Sequence, residues 1–162
     1  MRTIKRRRKE HKTDYLKRLK LLKSDAPRVV FRKTNKYFIA QYITSKDAQD
    51  KVEFGISSKE LIKYGWPIDS KASLKSLTAS YLLGILIGKR IIEKKLQIPI
   101  LDFGMIRTAY KTKPHAFLQG IIDGGIKIKF KEKTFSEQNR IKGEHLKNKI
   151  PFDTIKLNIE KK

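Results

Sequence analysis

The sequence predicts an α/β fold, a mixed α+β sheet with helices packed on it, flanked by a basic N-terminal arm and a basic C-terminal extension. Three observations support this. Runs of β-branched and aromatic residues come first, between Pro27 and Ile56. Helical periodicities then alternate with one short apolar run, between Leu74 and Gly125. Charge divides the chain: residues 1–24 hold eleven Lys or Arg against two acids, residues 25–124 seventeen against nine, and the last 38 eleven against five. The expected organisation is a basic arm and helix at 1–24, a globular body at 25–124 and a basic extension at 125–162. Neither an internal repeat nor a Gly/Ser- or Pro-rich linker is visible.

The elements follow in order. "TDYLKRLKLLKS" places Tyr15, Leu19 and Leu22 at helical spacing behind Thr13 as cap, and Pro27 keeps the helix from continuing. "PRVVFRKTNKYFIAQYI", Pro27 to Ile43, reads as a hairpin turning at Asn35. Its residues alternate between two faces, so at least half of Phe31, Tyr37 and Tyr42 should enter the core. "KVEFGI", Lys51 to Ile56, is the expected third strand. In "SSKELIKYGW", Ser57 and Glu60 have capping-box spacing before a short helix that ends at Gly65. A long apolar helix is expected from about Leu74 to Lys95, then a buried strand in "IPILDFG", Ile98 to Gly104. Pro114 suits the first position of a last helix, which presents Phe117, Leu118, Ile121 and Ile122 on one face and stops at Gly124 and Gly125.

Composition bounds the partner. The chain has 162 residues, enough to bury about 70% of the surface its unfolded form exposes. Its 39 Lys and Arg against 16 Asp and Glu give a formal charge of +23, which calls for a polyanion: nucleic acid first, an anionic membrane second. With no cysteine, disulfides and thiolate metal sites are excluded, in keeping with a reducing compartment. "MRTIKRRRKEHK" is followed by no apolar run, so a signal peptide is not expected. "SLTASYLLGILIG", Ser76 to Gly88, is thirteen uncharged residues long, against the about 20 that a membrane-spanning helix needs. It is expected as a core helix whose Gly84 and Gly88 let it approach the sheet closely.

Catalysis finds little support. His11, His115 and His145 are scattered and show no metal-ligand spacing. "DFG", Asp102 to Gly104, matches a kinase triplet, but the other kinase motifs are missing. A two-metal nuclease needs three or four converging carboxylates, and only Asp102 and Asp123 lie among apolar neighbours. Asp102 reads more simply as a strand-end residue bonded to the following loop, and Asp123 as a polar helix terminus. An RNA-processing nuclease using these two acids is the alternative to a binding role. No cofactor is expected. A peripheral membrane role would need an exposed helix with bulky apolar residues, which the first helix supplies poorly.

Binding has direct support. The arm "RTIKRRRKEHK" is dense enough in Lys and Arg to neutralise phosphates, and it runs through a basic helix into a basic, aromatic hairpin that contains no acid. Exposed aromatics beside Arg suit the unpaired bases that RNA presents in loops. The hairpin is expected to show one charged side of the sheet to RNA and to close the other on the long helix.

These residues also resemble a known family. "KTDYLKRLKLLKSDAPRVVFRKTNKYFIAQ" is similar to the start of the archaeal and eukaryotic branch of universal large-subunit ribosomal protein eighteen. Further similar stretches keep the family's order: "KYGW", "ASYLLGILIGK", "ILDFGMIR", "FLQGIIDGGIKI" and "FSEQNRIKGEHL". The last favours the archaeal type. This resemblance implies a non-catalytic constituent of the cytoplasmic ribosome's large subunit, which binds 5S rRNA and anchors it to large-subunit rRNA in the central protuberance beside other 5S-associated proteins. It also implies a ribonuclease H-like topology without the catalytic acids. Carried over by position, the implied RNA-binding residues begin in the arm, with Arg2, Lys5, Arg6, Arg7, Arg8, Lys9 and Lys12. Tyr15 and Arg18 follow in the first helix, and Arg28, Arg32, Lys33, Asn35 and Lys36 in the hairpin. Arg107 and Lys111 come from the loop after the "DFG" strand. Lys113 beside that loop and Arg140 and Lys142 in the closing stretch complete the expected RNA-binding set. In that loop the family usually has Pro after the Arg and Gly after the Lys, where this chain has Thr108 and Thr112.

Overall fold

A computed structural model describes residues 3–68, 73–128, 130, 135–146 and 149–161. After a four-residue turn of helix, α1 (Arg6–Lys9), comes α2 (Tyr15–Leu22), then β1 (Arg28–Lys33), β2 (Phe38–Lys46) and β3 (Gln49–Ser57). A 3-10 helix (Ser58–Tyr64) leads to α3 (Leu77–Glu93), β4 (Ile100–Asp102), α4 (Lys113–Asp123), α5 (Gln138–Lys142) and α6 (Phe152–Glu160). The four strands form one mixed sheet in the order β3-β2-β1-β4, in which β4 alone runs parallel to its neighbour. A parallel neighbour requires a crossover, and α3 supplies it.

Local chemistry explains most boundaries. The N-cap of α2 is Asp14, one residue later than expected, because its carboxylate reaches the N–H groups of Leu16 and Lys17, both at 3.1 Å. Thr13 accepts from Arg7 Nε at 2.9 Å instead. The β1–β2 turn falls at Asn35 and Lys36 as predicted, closed by Thr34 N–H donating to Tyr37 O at 2.9 Å. The third strand starts two residues before the predicted Lys51, because β2 and β3 meet in a two-residue turn at Asp47 and Ala48, with φ of 50° and 63°. Alanine carries no compositional mark of a left-handed turn, so this hairpin was invisible in the sequence. The Ser57 and Glu60 box opens a 3-10 rather than an α-helix, which ends at Gly65 with φ 102°. Ser76 caps α3 by accepting from Ala79 N–H at 3.0 Å, which starts that helix three residues later than expected. Pro114 is the second residue of α4, and the strand expected to be buried shortens to Ile100–Asp102 and is only half-buried, because it lies at the edge of the sheet.

The core lies between the sheet and α3 with α4. Val29, Phe31, Phe38, Ala40, Tyr42 and Ile56 project from the strands onto Leu82, Leu83, Ile85, Phe117 and Ile121. Phe31 joins the layers, its ring centroid 5.0 Å from Phe38 and 4.5 Å from Phe117. Phe31 and Tyr42 thus take the core side of the predicted alternation, while Tyr37 stays half-buried beneath Lys59 Nζ, 4.5 Å from its ring.

Gly84 and Gly88 correct one expectation. They face α4 rather than the sheet: a Cβ on Gly84 would overlap Phe117 O, and one on Gly120 would overlap Tyr81 O. Gly88 and Gly124 repeat the approach one turn on, where a Cβ on either would lie 3.1 Å or less from a carbonyl oxygen of the other helix. Two glycine pairs four residues apart, matched in the same order, make α3 and α4 run side by side in one direction with their backbones in contact.

The apolar residues of the C-terminal segment join the same core. Ile141, Ile150, Phe152, Ile155 and Ile159 are buried within it, and Lys89 Nζ donates to Ile159 O at 3.0 Å and Glu160 O at 2.5 Å at the end of α6. Neither α5 nor α6 was predicted, since their apolar residues are thinly spread among lysines. Among the described residues no helix is long and apolar enough to cross a membrane.

Candidate nucleic-acid interface

β1 changes character along its length, and this positions the charge. Arg28, Val29, Val30 and Phe31 are all buried, so both faces are covered there, and only Arg32 and Lys33 at its far end are exposed. The charged face expected along the whole hairpin is therefore confined to its tip, where Arg32, Lys33, Asn35 and Lys36 project.

Arg28 is a correction to the predicted site. It is 2% exposed, with Nη2 donating to Asp50 Oδ1 at 2.6 Å and to Ser45 Oγ at 2.9 Å, and Nη1 3.5 Å from Asp102 Oδ2. A guanidinium buried among two carboxylates holds strands together and offers nothing to a phosphate. Arg18 reaches the same Asp50 from α2, at 3.0 Å, and remains partly exposed. Burial raises the Asp50 pKa, but the hydrogen bonds from Ser45 and Arg18 and the charges of Arg28 and Arg18 outweigh it, leaving the carboxyl below its ordinary value.

The remaining residues fall into two neighbouring groups. The first lines a groove of about 490 Å³ between α1, α2, the end of β1 and the loop after β4, with Arg7, Lys12, Lys17, Arg18, Arg32 and Lys33 on its walls. Lys17 donates to Gly104 O at 3.1 Å and so ties α2 to that loop. It was missed in the sequence because nothing there distinguishes it from Lys20 or Lys23. The second group, Lys33, Arg107, Lys111, Lys113 and Arg140, surrounds the starts of α3 and α4. Lys33 belongs to both, so the two form one cationic strip. Lys5, Arg6, Arg8 and Lys9 are exposed on or beside α1, and Lys5 Nζ lies 4.6 Å from the ring of half-buried Tyr15. Lys142 is exposed on α5 but lines neither concavity, and Arg2 lies outside the described residues.

Some of this charge is already balanced. Glu10 pairs with Lys12 at 2.9 Å and Arg6 at 3.8 Å, and Glu137 pairs with Lys111 at 2.8 Å. These are exposed pairs that a phosphate can displace at little cost. Arg8, Lys9, Arg32, Lys33, Arg107, Lys113 and Arg140 form no ion pair among the described residues.

The two acids of the nuclease alternative are engaged elsewhere. Asp102 accepts from Gly104 N–H at 2.8 Å, the strand-end role predicted for it, and also faces Arg28. Asp123, the last residue of α4, accepts from Tyr81 Oη at 2.5 Å. Among the described residues no group of three or more candidate ligands could hold a metal ion.

A strip of this kind on an α/β body suits many polyanion binders, and comparison with known proteins separates them. The family model described as ribosomal large subunit proteins 60S L5, and 50S L18, matches residues 1–98. The chain is 43% identical over 141 residues to the large ribosomal subunit protein uL18 of Korarchaeum cryptofilum, an alignment spanning 87% of this chain and 70% of that relative. The chain belongs to the uL18 family. Over the same share of the chain it is 37% identical to uL18 of Methanoregula boonei and 36% to uL18 of Halobacterium salinarum, covering 79% and 75% of those proteins. The uL18 family is one of large-subunit ribosomal proteins and is not enzymatic, which removes the nuclease alternative. Its model covers α1, α2, the three antiparallel strands and α3, and therefore the whole groove wall except Asp102 and the loop after β4.

Proposed function

We propose that this chain binds 5S rRNA and anchors it to large-subunit rRNA in the central protuberance, beside other 5S-associated proteins. The observation that carries this reading is the cationic strip passing without a break through Lys33, from α1 to α5, on a chain of the uL18 family. Long rows of Lys and Arg set on rigid elements hold the sugar-phosphate backbone and fix the register of the RNA. Two walls of one groove, α2 and the tip of the hairpin, suit a single backbone lying between them.

The sheet order β3-β2-β1-β4, with three antiparallel strands and then a parallel one, supports a ribonuclease H-like topology. Asp102 at the end of β4 faces Arg28 and Asp123 at the end of α4 accepts from Tyr81, which leaves the sheet a scaffold for the strip.

Binding of the purified chain to 5S rRNA and to a length-matched structured RNA, titrated in salt with competitor present, tests the proposal. One-to-one binding to 5S rRNA should persist at salt concentrations that abolish the control. Equal affinity for both, lost together as salt rises, would reduce the reading to general polyanion binding.

A further inference from the structure

Between the far end of β1 and the starts of α3 and α4 lies a pocket of about 510 Å³, within the range of about 300–1,000 Å³ typical of small-ligand sites. One side of it is a carbon wall, formed by Leu77, Ile106 and Pro114 and backed by the buried rings of Phe31 and Phe38, while Ser76, Thr78, Thr112 and His145 add polar groups elsewhere in the lining. Its rim carries the five cations of the second group, and no described lining residue is acidic. Lys111 alone among them is paired, with Glu137.

The rim is electrostatically unfinished. Burial lowers the pKa of Lys113, and the nearby charges of Lys33 and Lys75 lower it further, so this ammonium is desolvated and surrounded by its own sign. Both helices bring their N-termini here, and neither has an acid in its first turn. No side chain caps α4, and the Thr112 hydroxyl donates back to Ala109 O at 2.6 Å. A phosphate would answer the rim. It would leave the carbon wall uncovered, whereas a nucleotide brings an anion and a flat, largely apolar ring together.

We propose that this pocket receives one unpaired nucleotide of 5S rRNA, with its base against Leu77, Ile106 and Pro114 and its phosphate on Lys33, Arg107 and Lys113. The proposal rests on the RNA-binding reading above and adds a discrete subsite to it. Single-stranded loops and bulges are where RNA can present such a base.

Ile106→Trp fills the space beside the carbon wall and removes no charge. The full chain and this variant are titrated against 5S rRNA, with affinity, salt slope and the reactivity of each base's Watson–Crick edge measured. Wild type should shield one unpaired base. The variant should lose that shielding and bind about tenfold more weakly, with its salt slope unchanged. Wild-type affinity and shielding in Ile106→Trp would overturn the subsite while leaving the RNA reading in place, whereas failure of wild type itself to bind 5S rRNA would overturn both. Circular dichroism checks the fold. If Ile106→Trp does not fold, Lys113→Gln, which relieves a crowded charge, should lose the same shielding, and retention of it would overturn the subsite.

Discussion

Arg28 and Asp50 form an ion pair at 2.6 Å in which the guanidinium is 2% exposed and the carboxylate also holds Arg18 of α2. One acid on β3 thus ties a buried strand residue and an outlying basic helix to the sheet. Arg28 keeps Asp102 as a second, longer partner, so removing Asp50 leaves the buried charge half-compensated. Asp50→Ala should cost about 3 kcal/mol, and Arg18→Ala, which breaks a partly exposed contact, less than about 1 kcal/mol. Urea unfolding of the two variants checks the order, and equal losses would show that Arg28 does not need Asp50.

The same carboxylate makes stability depend on pH. Its folded pKa lies below the ordinary 3.8. The stability it contributes is therefore complete above its unfolded pKa and is lost as pH falls through the folded one. Thermal melts between neutral pH and strong acid should show wild type losing stability at the acid end, with a shallower loss in Asp50→Asn. Parallel curves would remove Asp50 from the explanation.

Gly120 and Gly84 set the distance between α3 and α4. An alanine at either would overlap a carbonyl of the facing helix, whereas one at Gly88 would meet Ile121 O at 3.1 Å. Gly120→Ala should cost about 3 kcal/mol despite the gain of about 1 kcal/mol in helix propensity. Gly88→Ala should cost clearly less. Melting temperatures in the order wild type, Gly88→Ala, Gly120→Ala are expected, and a Gly120→Ala protein as stable as wild type would refute the close approach.

The β2–β3 turn offers the opposite change. Ala48 has φ 63° in a two-residue turn, where glycine is unstrained. Ala48→Gly should stabilise the chain by about 1 kcal/mol, measurable as a rise in the unfolding midpoint in urea with the slope unchanged.

The arm should act on RNA alone. Arg6, Arg7 and Arg8 are exposed on a four-residue helix without buried residues. Replacing all three with Ala should leave the melting temperature unchanged and flatten the salt dependence of 5S rRNA binding by up to about 0.9 per lost phosphate contact. An unchanged slope would mean that the arm does not lie on the backbone.

Much of this molecule was legible in the sequence because it is local. Asn35 in its turn, the Ser57 and Glu60 box, Gly65 as a left-handed stop and the burial of Phe117 and Ile121 on α4 depend on neighbours within a few residues, although Leu118 and Ile122, expected on the same face, are only half-buried. The polyanion partner was legible as well, since a charge of +23 does not depend on how the chain folds. Tertiary structure decided what each cation is for. Arg28 and Arg32 are four residues apart and chemically identical, yet one is sealed between Asp50 and Asp102 while the other faces the groove. That difference arises because Asp50 and Asp102 come from strands on opposite sides of β1's neighbourhood in the sheet, at separations no local pattern records. The glycines of α3 likewise had a visible spacing but no visible partner, and only the matched pair in α4 showed that they bring two helices together. Helices α5 and α6 were hidden for the same reason: their few isoleucines are too sparse to mark a face until α3 and the 3-10 helix supply the surface that buries them.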